Sequence, residues 1–294
     1  VSAVAVPATA LPASYEDLAA VIRARPPRMP AALGCREPEA KRAVAELNAL
    51  GAGPVEVYED GGEELVEAVR RWAAGSVDLL WKLELPTATV MREVLRAARE
   101  SWFSHLGLVI CEDGRPSFLV ADAGLNRRPG LDELVAIAER SVSAARRLGV
   151  DEPLVGLVAH REQADASVPG SVLLSELRDQ RGAEIEAMGA RLVGPTALDV
   201  ALDPDAAAAK GELGTRPCDV LLVPDIIVGN VLYKAFMLRR DCLVAGAAYD
   251  GAGRAVAVPS RAATVRERIA AAALATALGG ERPPAGQTPT QRSR

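Results

Sequence analysis

From Pro30 onward, short apolar runs alternate with segments whose apolar residues recur every three or four positions. That rhythm predicts strands joined by crossover helices around a mainly parallel sheet. AALGC, PVEVYED and VDLLWK read as strands, with EPEAKRAVAELNALG and GEELVEAVRRWAAG as the helices between them. Thr87 is placed to cap a helix reaching Arg99, with Val90, Met91, Val94 and Leu95 on its apolar face. The pattern then changes. HLGLVICEDG and PSFLVADAG, joined at Asp113 and Gly114, predict an antiparallel hairpin, and LDELVAIAERSVSAARRLG predicts a long helix stopped by Gly149. A second α/β set follows. PLVGLVAH, ARLVGP and CDVLLVPD read as strands, and SVLLSELRDQ, DPDAAAAKG and GNVLYKAFMLRR as helices. LVAGAAYD, AVAVPSR and the helix TVRERIAAAALATAL close the pattern.

The expected fold class is therefore α/β, with two α/β domains, mainly parallel sheets and a cleft between the domains. Residues 1–150 are expected to form the first domain and 151–258 the second, with 259–278 packing back on the first. The stretch 279–294, GGERPPAGQTPTQRSR, is rich in Pro, Gly and polar residues and is expected to be disordered.

Composition narrows the function classes. With 294 residues and 49% hydrophobic content the chain can bury substantial cores, and aromatics at only 3% mean that Ala, Val, Leu and Ile must build them. The formal charge of -5 shows no basic clustering, so nucleic acid is not an expected partner. No run approaches the roughly 20 apolar residues of a membrane span, and the opening VSAVAVPATALPASYED lacks the basic segment of a signal peptide. A cytoplasmic protein is the expectation. Cys35, Cys111, Cys218 and Cys242 are far apart in sequence and make no C-x-x-C pair, so they read as reduced, buried small residues. His105 and His160 lie in no ligand-spaced cluster, and no metal is expected. Gly51 and Gly53 end a helix, while Gly251 and Gly253 lie in a turn between strands, so neither pair opens a helix as a dinucleotide fingerprint requires. Lysine is scarce: Lys41, Lys82, Lys210 and Lys234 stand alone among 34 basic residues, which favours sites that need a compact ammonium.

The chemistry-bearing segment runs from Gly194 to Arg261. It holds Gly194, Pro195, Ala197, Leu198 and Asp199, then Lys210 and Gly211, then LLVPD ending at Asp225 with Gly229, Asn230, Tyr233 and Lys234, then Ser260 and Arg261 after a strand. These four elements, in this order, closely resemble the phosphate acetyl/butyryltransferases. VDLLWK with PTATVMREVL, and SHLGLVI with FLVADAGLN, resemble the butyryltransferase branch more loosely, extending the likeness from about Pro30 to Ala275. The resemblance implies an isocitrate/isopropylmalate dehydrogenase-like fold, a homodimer, and transfer of a short acyl group between coenzyme A and inorganic phosphate. Acyl-CoA is then a substrate, with no bound cofactor. It also implies that Ser260 and Arg261 stand at the reacting carbonyl, and it sets Glu267 where the acetyltransferase branch has an acidic base.

Lys82, Asn126, Asp225 and Ser260 each follow a predicted strand, where open α/β sheets bind ligands, so one cleft is expected to gather them. His105, Asn230 and Lys234 complete the candidate substrate-binding set. Plainer readings stand beside these. Asp225 is also placed to cap a helix beginning near Gly229, whose first turn would carry Lys234 against the helix dipole. His105 also suits a hydrogen-bonded strand end, Glu267 an exposed helix position, and Arg127 and Arg128 a solvated loop. Asp199 and Lys210 fit a structural or a functional role equally. The chain departs from the family pattern at Leu83, Ile227, Ala263 and the DASVPGS stretch from Asp165, which leaves open another acyl acceptor or a non-catalytic CoA-binding homologue.

Overall fold

The computed structural model describes residues 10–98, 102–211 and 216–280. Ten helices and ten strands are found among them, in the order α1 (Tyr15–Ala24), β1 (Pro30–Leu33), α2 (Pro38–Ala49), β2 (Glu56–Tyr58), α3 (Glu63–Ala74), β3 (Leu79–Lys82), α4 (Thr87–Ala98), β4 (Ser104–Cys111), β5 (Phe118–Ala121) and α5 (Leu131–Arg147). Then come β6 (Leu154–Val158), α6 (Pro169–Ala187), β7 (Arg191–Thr196), α7 (Leu198–Leu202), α8 (Pro204–Ala209), β8 (Val220–Leu222), α9 (Ile226–Met237), β9 (Cys242–Tyr249), β10 (Ala255–Ala257) and α10 (Val265–Leu278). The alternating pattern is thus realised, and β4 and β5 form the antiparallel hairpin. Helix α1 precedes the segment in which the apolar rhythm is legible. The stretch expected to be disordered lies, from residue 281, outside the described residues.

All ten strands join one sheet, in the order β2-β1-β3-β10-β9-β4-β5-β8-β6-β7. Pairing is parallel from β2 to β10 and again from β5 to β7, and antiparallel at the three central steps β10-β9, β9-β4 and β4-β5. Three reversals are an odd number, so the two parallel groups run in opposite directions. The carboxyl ends of β3 and β10 therefore leave the sheet at one edge, and those of β5 and β8 at the other. This corrects the expectation that one set of carboxyl ends gathers Lys82, Asn126, Asp225 and Ser260.

The two faces of the sheet are covered differently. Side chains alternate along β9, and Leu243, Ala245, Ala247 and Tyr249 face a single core that runs from Ala32 on β1 to Val155 on β6 beneath α1, α2, α5, α6 and α10. On the opposite face Ala248 joins one core, under α3 and α4, while Val244 joins another, under α9. Between these two cores the floor of the sheet is β10, β9 and β4. Helix α10 is buried from Glu267 to Ala275, and its run of alanines lets it lie close against β9, β10, α1 and α2.

Helix α9 begins earlier than its sequence suggests. The β-branched run Ile226, Ile227 and Val228 reads poorly as helix, yet the Asp225 carboxylate accepts the backbone N–H of Ile227 at 2.8 Å and of Val228 at 3.0 Å, which starts the helix three residues before Gly229. Lys234 consequently stands in the last turn, where the dipole favours a cation, and not in the first. The helix then crosses the sheet at close range. A Cβ at Gly229 would lie 2.1 Å from the Asp122 carbonyl oxygen, and one at Gly107 on β4 would lie 2.6 Å from the Tyr233 ring.

Glycine to alanine inside a helix ordinarily stabilises by about 1 kcal/mol. Here Gly229→Ala must push α9 off the Asp122 turn, and we expect a loss of about 1–3 kcal/mol, read as a lower urea midpoint with an unchanged slope.

Candidate active site

The gap between the two cores brings together five of the sequence candidates, Lys82, His105, Lys234, Ser260 and Arg261. Ser260 follows β10 and opens a turn closed by the N–H of Ala263 donating to the Ser260 carbonyl at 3.1 Å. The Lys234 ammonium, arriving from the last turn of α9, donates to Ser260 Oγ at 2.7 Å. Lys82 ends β3, and its ammonium donates to the carbonyl of Pro259 at 2.7 Å. Two lysines thus grip consecutive residues of one turn from opposite sides. Arg261 is exposed beside them, and its charge reaches Lys82.

Lys82 is 1% exposed, and burial, helped by the charges of Arg261, Arg268 and Lys234, pushes its ammonium down to about 8 from an ordinary 10.5. Burial also lowers Lys234, against a smaller opposing pull from the Glu267 carboxylate. No carboxylate lies within ion-pair distance of either ammonium among the described residues. Such a cluster is poised for an anionic ligand.

His105, on the second residue of β4, lies in the same gap. Its ring stacks at a tilt on Tyr233, centroids 5.4 Å apart, and a Cβ on Gly246 would meet His105 Nε2 at 2.9 Å, the Tyr233 hydroxyl at 2.8 Å and the Val258 carbonyl at 2.9 Å. Gly246 is therefore the floor on which these three groups converge. Burial holds the imidazole below its ordinary value, outweighing the pull of Asp122, and its Nδ1 has no hydrogen-bond partner among the described residues.

Asn126, Asn230 and Asp225 belong to the other end of α9. Asn126 Nδ2 donates to Asp122 Oδ2 at 2.6 Å and to the Phe103 carbonyl at 3.0 Å, and Asn230 Nδ2 donates to the Ala123 carbonyl at 3.1 Å. At its hub, Asp122, 2% exposed, also accepts the N–H groups of His105 at 2.8 Å and of Gly124 and Leu125 at 2.7 Å each. Asp225 caps α9 about 13 Å along the axis from Lys234, since each helical residue rises about 1.5 Å. It does not join the lysine–serine cluster.

Glu267 is neither exposed nor free. It is 6% exposed and closes a capping box, where its Oε2 accepts the Thr264 N–H at 2.7 Å and the Thr264 hydroxyl at 3.0 Å. Its charge still reaches Tyr233 and Lys234. Arg127 and Arg128 are exposed, and Lys210 pairs with Asp199 and Glu162 at 3.1 and 3.2 Å. Three groups escaped the sequence reading: Asp122, Gly246 and Arg268. Gly246 carried a signal, because a lone glycine inside the strand run LVAGAAYD marks a close approach. Asp122, the first polar residue after the run FLVA, carried a weaker one.

Among the described residues no group of three or more His, Cys, Asp or Glu is placed to hold a metal, and no helix is long and apolar enough to cross a membrane. Fold and site together define a mixed α/β protein that sets a lysine-polarised hydroxyl among cations in a gap over the centre of its sheet. Comparison with known proteins makes the class particular. The family described as phosphate acetyl/butaryl transferase matches residues 40–276, and the chain belongs to that family. It is 29% identical over 226 residues to a phosphate butyryltransferase of Clostridium acetobutylicum, covering 74% of this chain and 73% of the relative. A phosphate acetyltransferase of Rhizobium meliloti is 29% identical over 256 residues, covering 83% and 80%. Among solved structures, a branched-chain phosphotransacylase from Enterococcus faecalis V583 superposes with a TM-score of 0.72 at 25% identity, covering 85% of this chain and 99% of that one.

Two aspartates near the start of α9 differ in kind, one a buried hub and the other a helix cap. Asp122→Ala strands several buried donors and is expected to cost at least about 3 kcal/mol. Asp225→Ala removes one helix cap and is expected to cost about 1 kcal/mol. Urea unfolding of both variants measures the contrast.

Proposed function

We propose that this protein transfers a short acyl group between coenzyme A and inorganic phosphate, with Ser260, Arg261, Lys234 and Lys82 as the working groups. The 2.7 Å contact of Lys234 with Ser260 Oγ carries this reading. Because the ammonium is the donor, the Ser260 hydroxyl hydrogen is left to point at a substrate oxygen. A hydroxyl so polarised stabilises the oxyanion that develops when a thioester carbonyl is attacked.

In the forward direction a phosphate oxygen adds to the thioester carbon. The tetrahedral intermediate then collapses by breaking the carbon–sulfur bond, which yields an acyl phosphate and the coenzyme A thiolate. Arg261 presents a planar fork suited to two phosphate oxygens, and Lys82 neutralises charge from the buried side. Family membership supports the pairing of these substrates. His105, neutral and backed by Tyr233, lines the floor beneath the thioester. Glu267 acts through the Thr264 cap that sets the start of α10, and its charge supports the Lys234 ammonium.

A thiol-trapping assay over a series of acyl-CoAs, with and without phosphate, tests the reading. Thiol release that requires phosphate is expected, with Ser260→Ala and Arg261→Ala each lowering kcat by about 100- to 1,000-fold. Release that is indifferent to phosphate, or undiminished in both variants, would remove the proposal. A pH dependence follows from Lys82. The group anchors an anion only when protonated, and its lowered value keeps it charged below about 8. Rates at limiting phosphate are therefore expected to fall as pH rises through about 8, and Lys82→Met is expected to lack that limb.

A further inference from the structure

Arg268, the fourth residue of α10, is 2% exposed, and what holds it there is not stability. It has no carboxylate within ion-pair distance among the described residues. Its Nη1 is fully buried with no hydrogen-bond partner. It stands in the amino-terminal part of a helix, where the dipole disfavours a cation. A buried, uncompensated charge is among the costlier features a fold can carry, and features kept at the expense of stability concentrate at functional sites.

What the guanidinium does touch is the reactive turn. Nε donates to the Ala263 carbonyl at 3.1 Å, and Nη2 donates to the Arg261 carbonyl at 3.2 Å. The same turn is closed by the Ala263 N–H on the Ser260 carbonyl, and Lys82 holds the carbonyl of Pro259 just before it. Lys82 also feels the Arg268 charge. Resting on the phosphate-acceptor reading above, we propose that Arg268 is a positioning residue for the reaction: it clamps the Ser260–Ala263 turn from beneath and supplies the fixed interior charge against which Lys82 and Arg261 present an oxyanion.

The groups facing Lys82 are Arg261, Arg268 and Lys234, all cationic, together with the neutral ring of His105. Removing one fixed positive charge therefore raises the pH at which Lys82 loses its proton. Arg268→Gln keeps donors but no charge, whereas Arg268→Lys keeps the charge but loses the planar fork.

The test compares these two variants with the parent protein by steady-state kinetics, by calorimetric titration with inorganic phosphate, and by carbon-13 NMR of labelled lysine. The chain has only Lys41, Lys82, Lys210 and Lys234, so the Lys82 signal is assigned by its loss in Lys82→Arg. Arg268→Gln is expected to lower kcat by about 100-fold through misplacement of the turn, with KM for acyl-CoA little changed, to weaken phosphate binding, and to move the Lys82 midpoint upward. Arg268→Lys is expected to leave that midpoint in place and to show an intermediate kcat. An unmoved midpoint in Arg268→Gln, or a kcat in either variant equal to the parent's, overturns the proposal. If Arg268→Gln does not fold, Arg268→Lys decides alone, since an unchanged kcat there sinks the clamp. If the parent protein releases thiol without regard to phosphate, the function reading fails, while phosphate calorimetry and the Lys82 midpoint still judge Arg268.

Discussion

Helix α9 reaches the Ser260 turn only because three glycines leave room for it. Gly229 seats the helix on the Asp122 carbonyl, Gly107 accepts the Tyr233 ring, and Gly246 accepts the Tyr233 hydroxyl together with His105 Nε2. Any side chain larger than hydrogen at these positions would lift the helix from β4 and β9, and Lys234 with it. A 2.7 Å contact between groups 26 residues apart in the chain depends on that approach, because an ammonium displaced by even 1 Å would no longer polarise the hydroxyl. The same approach explains the division of labour along α9. Its amino-terminal half is tied to the Asp122 turn through Gly229 and Asn230, while its last turn is free to serve the gap.

The sheet supplies the second constraint. On one face a continuous core runs beneath five helices, so the two parallel groups are held as one body there. On the other face the core is interrupted over β10, β9 and β4. An interruption of apolar packing is where polar and charged side chains can be kept at modest cost, provided that hydrogen bonds or a ligand satisfy them. Lys82, His105 and Tyr233 stand at this seam, with Arg268 reaching the Ser260 turn from α10 on the covered face, and among the described residues Lys82 and Arg268 donate to backbone carbonyls. Carbonyls satisfy donors without neutralising charge. The excess positive potential is therefore kept for whatever enters.

Much of this was legible in the residues. The α/β rhythm and the β4-β5 hairpin follow from patterns visible in the chain, and the scarcity of lysine marked Lys82 and Lys234, whose ammonium groups hold Pro259 and Ser260 in the structure. The strand directions were not legible, because an apolar run looks the same whichever way it is threaded. Counting reversals requires knowing that β9 and β10 insert between β3 and β4. Asp225 was ambiguous for a local reason: capping a helix and binding a ligand both ask for a carboxylate after a strand, and the capping role shows only in its bonds from the N–H groups of Ile227 and Val228. Arg268 was invisible because TVRERIAAA looks like the amphipathic start of a surface helix. Only the close packing of α10 on β9 and β10 turns that arginine inward.

The arrangement of charge around the turn also has a direction. Arg261 and Lys234 are exposed at the mouth, whereas Lys82 and Arg268 are sealed behind the chain segment that carries Ser260. Exposed cations are screened by salt and act chiefly on approach, while buried cations act at short range in a medium that screens them little. An anion arriving at the mouth thus trades hydration for interior charge as it settles beside Ser260, and an uncharged molecule gains nothing from that gradient. Under the proposed reaction that gradient favours an acceptor that carries its own negative charge, as phosphate does at neutral pH, over an amine or a simple alcohol. On that proposal the two buried cations bear on the choice of acceptor as much as on rate.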